Sequence, residues 1–407
     1  MEITCVRCSA SFELIDNFNF KYYTCPSCNS NYKYKSGEFV FLDTTSQSSY
    51  VPKIKIGAKG IIDTIAYTVV NYVHKKNEKG ESWFEYQLVS KSGEIIYLTE
   101  EAGHWSLEKS ITINSATNKE TILYNAIEFK KYEVGKSKEY YRVGFFEDKL
   151  DTGFSHYEEF IAPPFGISIE TNGKHKDFYL GEYISQKEIK KILATTDLKP
   201  KNGIGALQPF YYNLSQVYTI FIIGILLTTL LHIVFYTQSK EQLIFENVID
   251  LDKGNNKEKY TNVFTLNGPI APLNITVASD VDNSWITTDF VLINEETGEQ
   301  VYFAKDLEYY YGNSEGENWN EGSKQEEFNI CGVSSGKYKI MVLPSKEENS
   351  KNSYLRLKIY WGKPDNWNLY VSIFIFLALG VILFIIKNNF ENKRWEDNYY
   401  SPYKKDK

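Results

Sequence analysis

Two uninterrupted apolar runs stand out from a chain that elsewhere alternates apolar and polar residues. Val217–Tyr236 (VYTIFIIGILLTTLLHIVFY) and Leu369–Ile386 (LYVSIFIFLALGVILFII) contain no Asp, Glu, Lys or Arg. At ~1.5 Å rise per residue the first spans roughly 30 Å as a helix, the hydrocarbon thickness of a bilayer, and the second is only slightly shorter. Backbone groups in lipid must be satisfied internally, so the runs predict transmembrane helices at 217–236 and 369–386. Tyr218, Phe235 and Tyr236 on the first, with Trp367 and Tyr370 on the second, stand where interfacial aromatics are expected. Buried helices of a soluble core seldom run this far without a charge.

From residue 54 to 183 the pattern has a period of two. Ile61–Val73, Trp83–Ser90, Glu94–Thr99, Trp105–Ile111, Ile122–Val134, Glu139–Phe146, Glu158–Ile161, Gly166–Glu170 and Asp177–Tyr183 are rich in Val, Ile, Tyr and Phe, with turn signals such as Asn77-Glu-Lys-Gly80 and Lys91-Ser-Gly93 between them. This spacing predicts antiparallel hairpins rolled into a small barrel or sandwich over residues 53–194. Ser185-Gln-Lys-Glu188 is a capping box, so a short helix at 185–194 closes the domain. Ser46–Pro52 reads as a linker, and residues 195–216, with Pro200, Gly203, Gly205 and Pro209, as a second one leading into the first apolar helix. Residues 237–366 carry about seven further strand signals and predict a β-sandwich, jelly-roll or immunoglobulin-like in outline. Within it Cys331 has no mate, and a buried free thiol is the expectation. The predicted fold class is therefore mainly β with two transmembrane α-helices.

Charge assigns the sides. Lys190, Lys191, Lys199 and Lys201 precede the first apolar helix, and Lys387, Lys393, Arg394, Lys404, Lys405 and Lys407 follow the second. The positive-inside rule places both ends, including a basic tail at 387–407, in the cytoplasm, and exports residues 237–366. The exported segment holds 13 Lys+Arg against 21 Asp+Glu, which accounts for the acidic balance of a chain with net charge -7. No signal peptide is read at the N-terminus, so the first helix is expected to insert and stay as an anchor in the inner (cytoplasmic) membrane.

Residues 1–45 add a metal signature. Cys5-Val-Arg-Cys8 and Cys25-Pro-Ser-Cys28 are separated by sixteen residues and flanked by alternating aromatics. Two such knuckles bring four thiolates to one tetrahedral Zn²⁺, and short strands of this kind form a zinc ribbon in which the metal replaces a core too small to hold itself. A redox dithiol would more commonly open a helix with a single Cys-x-x-Cys. Four Cys ligands leave no open position for water, so the Zn²⁺ is expected to be structural. Arg7, Lys21, Lys33 and Lys35 are scattered, which argues against nucleic acid as a partner.

Ile56-Gly57 with Gly60, Tyr67-x-Val69, Trp83-x-Glu85-Tyr86-x-Leu88, Gly93, Leu98 and Gly103-x-Trp105 resemble the repeated unit of the bacterial domain-of-unknown-function family numbered 4178. Glu159-Phe-Ile-Ala-Pro-Pro164, Glu170 and Gly181-Glu-Tyr183 are similar to its closing half, with Tyr97 standing where the family has Trp. The resemblance implies an N-terminal zinc ribbon, the β domain, two membrane helices and an exported β domain. It also implies partners among membrane-stress or polyamine-synthesis proteins. It implies no reaction.

Phosphate-binding glycine loops, Gly-x-Ser-x-Gly, His-Glu-x-x-His and dinucleotide fingerprints are missing, and the five histidines (74, 104, 156, 175, 232) are scattered, so no catalytic residue is assigned. Trp83, Glu85, Tyr86 and Trp105 are a candidate partner-binding groove, the ordinary alternative being that Trp83 and Glu85 share one strand face and Tyr86 packs on the other. Asp280, Asp282, Asp289, Trp285 and Trp319 are a candidate exported site for Ca²⁺ or a sugar ring, against solvated acidic loops, among them Gly312–Gly322. His232 is expected to be a neutral interfacial residue. The expected function is a non-enzymatic, two-pass membrane scaffold or coupling protein that binds proteins and the lipid bilayer and can form homo-oligomers. The alternatives are a sensor with an exported ligand site, or an enzyme accessory subunit or cryptic hydrolase with a groove in the cytoplasmic β domain. A deep pocket with a perturbed carboxylate near Glu85 or Glu170 would favour that last reading, and a shallow polar surface the scaffold.

Overall fold

The computed structural model describes residues 2–13, 18–45, 52–113, 120–149, 153–173, 175–195, 197–238, 241–363, 365–396 and 398–403. Residues 46–51 of the first predicted linker, and Lys404, Lys405 and Lys407 of the tail, lie outside them. The chain forms two compact units, residues 1–213 with 381–407, and residues 214–380.

The first unit is built on eight strands: β1 (Ile65–Asn77), β2 (Ser82–Ser90), β3 (Ile95–Glu101), β4 (His104–Ile111), β5 (Ile127–Phe146), β6 (Ser155–Ala162), β7 (Phe165–Asn172) and β8 (His175–Ile184). They pair antiparallel in the order β1-β2-β3-β4-β8-β7-β6-β5, and β5 pairs back onto β1, so the sheet closes into an eight-stranded barrel. Closure depends on the twenty-residue length of β5, whose first half pairs with β6 and whose second half pairs with β1. Sequence reading splits β5 at its polar Gly135-Lys-Ser-Lys138 stretch; those residues stay in the strand because Gly135, Lys136 and Ser137 pair with β6 and Lys138 pairs with β1. A separate strand, Thr121–Tyr124, turns back onto β5 at Asn125-Ala126, where both residues have positive φ.

The apolar residues of this barrel lie on its outside. Tyr86 and Leu88 of β2, Ile96 and Leu98 of β3 and Trp105 of β4 are buried beneath Ile54, Ile62 and α1 (Gln186–Ile192), where Ile189 and the C-cap residue Leu193 pack against them. Elsewhere on the barrel Phe160, Ile167 and Ile169 pack with Ile122 and Phe129. The reciprocal capping box of Ser185 and Glu188 opens α1 as its spacing predicts.

In the N-terminal segment Tyr22–Thr24, Ser30–Lys35 and Glu38–Thr44 form antiparallel strands, and the first of them pairs with the end of β5, making the ribbon continuous with the barrel sheet. Tyr23 stacks on Phe145 with ring centroids 4.7 Å apart. Gly144 (φ +106°) is required there, since a Cβ would lie 2.4 Å from the Val70 carbonyl oxygen.

Residues 198–208 correct one expectation. Read as linker, they are a strap folded onto the barrel: Asn202 N–H donates to Ala102 O at 2.9 Å, and Gln186 Nε2 donates to Lys199 O at 2.6 Å. Their glycines serve close approach, for a Cβ on Gly205 would lie 2.6 Å from the His104 ring.

Two helices, α2 (Leu214–Gln238) and α3 (Trp367–Arg394), are long and apolar enough to cross a membrane, and within their apolar windows no residue is buried. They contain the predicted spans and extend them at both ends. In the second unit α2 and the first half of α3 touch at Phe221 and Phe376 (5.8 Å), with Gly224 admitting the Phe376 ring, and His232 Nε2 lies 2.8 Å from Asn366 Oδ1.

The rest of that unit has two sheets. One contains Gln242–Asp250, Tyr354–Trp361, Ala271–Ser279 and Gln325–Val333; the other contains Gly336–Lys346, Ser284–Asn294, Gln300–Ser314 and Glu317–Ser323, with two short strands. Leu273, Ile275 and Ile359 of the first sheet and Ile286, Phe290 and Ile340 of the second share one core. Two expectations change here. Residues 312–322, read as an acidic loop, form the end of a hairpin whose polar composition hid it. Cys331 is exposed, because it lies on an edge strand.

Candidate functional site

Because the apolar faces point outward, every barrel strand sends polar side chains inward. The lumen is lined by Trp83 and Glu85 of β2, Tyr97 and Thr99 of β3, Glu108 of β4, Glu133 of β5, Tyr157 and Glu159 of β6, Ser168 and Glu170 of β7, and Tyr179 of β8. A narrow part of about 90 Å³ opens into a wider part of about 380 Å³, the two sharing Thr99, Glu101, Glu108, Glu133, Glu159 and Ser168. The strap (Asn202 and 204–207) and Glu396, Asn398, Tyr399 and Tyr400 of the C-terminal segment line the wider part.

Charge in this space is unbalanced. At the narrow end Lys75 of β1 bridges Glu170 Oε1 at 2.6 Å and Glu85 Oε2 at 2.9 Å, and Trp83 Nε1 donates to Glu85 Oε1 at 2.7 Å. Burial works against the Lys75 ammonium, but the two carboxylates hold it well above the usual lysine range. Glu85 is raised, burial outweighing Lys75. In the wider part Glu133 pairs with the exposed Lys79 at 3.1 Å and also interacts with the Tyr157 hydroxyl, and Glu108 accepts from the Ser106 hydroxyl at 2.8 Å. Among the described residues Glu159 has no hydrogen bond or ion pair. Burial, then the neighbouring charges of Glu101 and Glu133, push Glu159 well above the carboxylate range. Burial and the Glu85 charge push Glu108 up to about 7. Glu101 moves the same way, but its side chain is exposed at the rim and water screens it, so Glu108 and Glu159 carry the weight.

The strap joins this cavity to α3. Arg394, the last residue of α3, is 2% exposed; its Nη1 donates to Gly205 O at 2.9 Å and to Ala206 O, and its Nη2 donates to Gln208 O. Tyr132 Oη donates to Arg394 O at 3.1 Å and its ring meets Trp395 at 5.0 Å.

The four N-terminal cysteines form a second site. Each knuckle repeats one backbone pattern: Ser9 N–H donates to Cys5 O and Asn29 N–H to Cys25 O, and Ser9 and Asn29 both have positive φ. The sulfurs of Cys5, Cys8, Cys25 and Cys28 lie within 4.8 Å of one another, with Cys5–Cys28 at 3.7 Å and Cys8–Cys25 at 3.6 Å, and all four are free of disulfides. A tetrahedral ion at ~2.3 Å from each sulfur requires edges of about 3.8 Å, so the set fits a metal ion.

Of the predicted groove, Trp83 and Glu85 lie in the lumen, while Tyr86 and Trp105 stack on each other in the outer layer at 5.8 Å. In the second unit Asp280 accepts from Ser353 N–H and Oγ–H and from Tyr354 N–H, bonds that hold its carboxyl below the usual range although burial opposes them. It fastens one strand to the next. Asp282 lies before the strand Ser284–Asn294 and Asp289 in its middle; at ~3.3 Å per strand residue they are more than about 15 Å apart and share no ion. Trp285 is half-buried and Trp319 exposed. Sequence reasoning named Glu85 and Glu170 but missed Lys75, Glu101, Glu108, Glu133 and Glu159. The available signal was an acidic residue recurring on one face of successive strands.

Residues 55–186 match the family described as Domain of unknown function (DUF4178). No curated protein matches the chain. Among solved structures, a chain of infectious bursal disease virus (Gt strain) is 11% identical, with 75% of this chain and 65% of that one covered, at a TM-score of 0.19. A Bacillus thuringiensis Cry1Da tryptic core variant is 7% identical, with 75% and 53% covered, at 0.18. The chain thus spans less than two thirds of the length of either, and at such TM-scores neither likeness bears on the fold.

Proposed function

Residues 55–186 belong to the DUF4178 family, and from that premise we propose that this chain is a two-pass membrane receptor whose barrel binds a small cationic ligand and couples its presence to α3. The observation that carries the reading is the hollow, acidic lumen, in which Glu159 stands unpartnered opposite Glu108. A carboxylate held there without a partner opposes folding, and positive charge in the cavity relieves that cost. The volume falls in the ~300–1,000 Å³ range of small-molecule sites. A deep pocket with raised carboxylates favours a ligand-binding barrel over the surface scaffold that sequence alone suggests.

The basic flanks, including Lys199, Lys201, Lys387 and Lys393, support a cytoplasmic barrel and ribbon in a bacterial inner membrane, with residues 237–366 exported. Zn²⁺ is the metal best suited to Cys5, Cys8, Cys25 and Cys28, as a structural ion that closes the ribbon. The buried Arg394 contacts support coupling, since a shift of the strap on ligand entry pulls on the end of α3. The exported sandwich then meets envelope components or a second copy of the chain.

A thermal-shift screen of the full chain in detergent, against sets of organic cations, zwitterions, anions and neutral compounds, tests this. The reading expects stabilisation by cations. Stabilisation confined to anions or neutral compounds, or by none of the sets, refutes it.

A further inference from the structure

The narrow end of the lumen already holds a ligand-like group of the chain's own. Lys75 reaches in from β1 as an alkylammonium, and its Nζ is clasped by Glu170 at 2.6 Å and Glu85 at 2.9 Å, from strands β7 and β2. Three N–H donors on a compact cation are matched there by carboxylate oxygens from opposite walls. The wide end repeats the acidic half of this arrangement, with its lining lysine, Lys79, paired to Glu133. Glu159 of β6 and Glu108 of β4 line it, Glu108 held by the Ser106 hydroxyl with the Thr99 hydroxyl also acting on it, and Glu159 with no hydrogen bond or ion pair among the described residues. His104, 7% exposed, also lines it with Nδ1 unpartnered.

A metal ion does not answer this arrangement. Among the described residues the four cysteines are the one group of three or more His, Cys, Asp or Glu ligands gathered closely enough for a single ion, so the lumen offers no cage of three side-chain ligands. A primary ammonium needs only one or two carboxylates, and Tyr132, near the rim, offers an aromatic wall for its methylenes.

Resting on the proposed ligand-binding role of the barrel, we propose that the wide end of the lumen is a subsite for a primary alkylammonium, with Glu159 and Glu108 as its carboxylate partners and Lys75 occupying the equivalent place at the narrow end. Recognition is by N–H donation to carboxylates. A quaternary ammonium, which has the charge and no N–H, is therefore a poor ligand.

The test uses the full chain in detergent at pH 7.5 and measures binding of n-butylammonium, tetramethylammonium and Ca²⁺ by saturation-transfer NMR or, for the metal, by calorimetry. The expected result is n-butylammonium binding in the millimolar range, at least tenfold weaker binding of tetramethylammonium, and at least tenfold loss of n-butylammonium binding in Glu159→Gln and, separately, in Glu108→Gln. Glu296→Gln in the second unit serves as the unaffected control, and either lumen variant that melts early is judged by the other. Equal binding of the primary and quaternary ions overturns the ammonium subsite while leaving a cation-binding barrel intact. Ca²⁺ binding abolished by the same variants overturns it in favour of a metal. No binding of any of the three ions up to 100-fold excess over chain removes this subsite, and the broader receptor reading then rests on the library screen alone.

Discussion

Replacing Lys75 with Met isolates the electrostatics of the lumen. The side chain keeps its length and apolar stem but loses the charge that Glu85 and Glu170 share. Removing one partner of a buried ionic cluster costs about 3–5 kcal/mol when the remaining charge is fully buried. Glu85 and Glu170 keep 21% and 33% of their side-chain surface open to lumen water, so a cost on the order of 2–3 kcal/mol at pH 8 is expected after that screening. The cost falls at pH 5, because Glu85 is already raised and gains its proton more readily once Lys75 is gone. Combining Lys75→Met with Glu85→Gln and Glu170→Gln restores stability at pH 8. Hydrogen exchange by mass spectrometry on the full chain, corrected for intrinsic rates, reads peptides from β1, β2 and β7 against strands of the second unit as internal reference. An equal loss of protection at pH 5 and pH 8, or no rescue by the triple variant, refutes the reasoning.

Three further outcomes follow from the geometry. Glu108 and Glu159 have folded-state values above the ordinary carboxylate value, so the stability linked to them is fully present below about 4.5 and is lost as pH rises through about 7 for Glu108. Barrel protection should therefore decline between pH 5 and pH 8, and Glu108→Gln should flatten the decline; a rise with pH contradicts it. Stripping metal with a chelator should expose four reactive thiols per chain and raise exchange in residues 18–45, whereas unchanged protection there contradicts a metal-closed ribbon. Arg394→Ala removes donors from three strap carbonyls, and with hydrogen bonds to charged groups worth about 1.5–3 kcal/mol each it should loosen residues 198–208 without unfolding β2 or β3; exchange confined elsewhere would argue against the latch.

Period and punctuation made the element types legible. The charge-free runs mark α2 and α3, Ser185 and Glu188 mark the start of α1, and the paired Cys-x-x-Cys knuckles mark the metal cluster, because each signal is local. The lumen was harder to read. Alternation along β2 puts Trp83 and Glu85 on one face and Phe84, Tyr86 and Leu88 on the other, but it does not say which face is inside. In most small barrels the apolar face fills the interior; here α1 and residues 54–62 cover it from outside and leave the polar face to the cavity. That inversion depends on contacts between residues more than a hundred positions apart. The same holds for the strap: Pro200, Gly203 and Gly205 look like a flexible stretch until Gly103 and His104 are seen pressed against it.

The most direct measurement is mass spectrometry of small molecules released from the full chain purified out of its own membranes, compared with Glu159→Gln prepared identically. The account predicts an amine-bearing compound retained by the unaltered chain and depleted in the variant. Equal retention by both, or a compound with no positive charge, would contradict the claim that the acidic lumen is where this protein works.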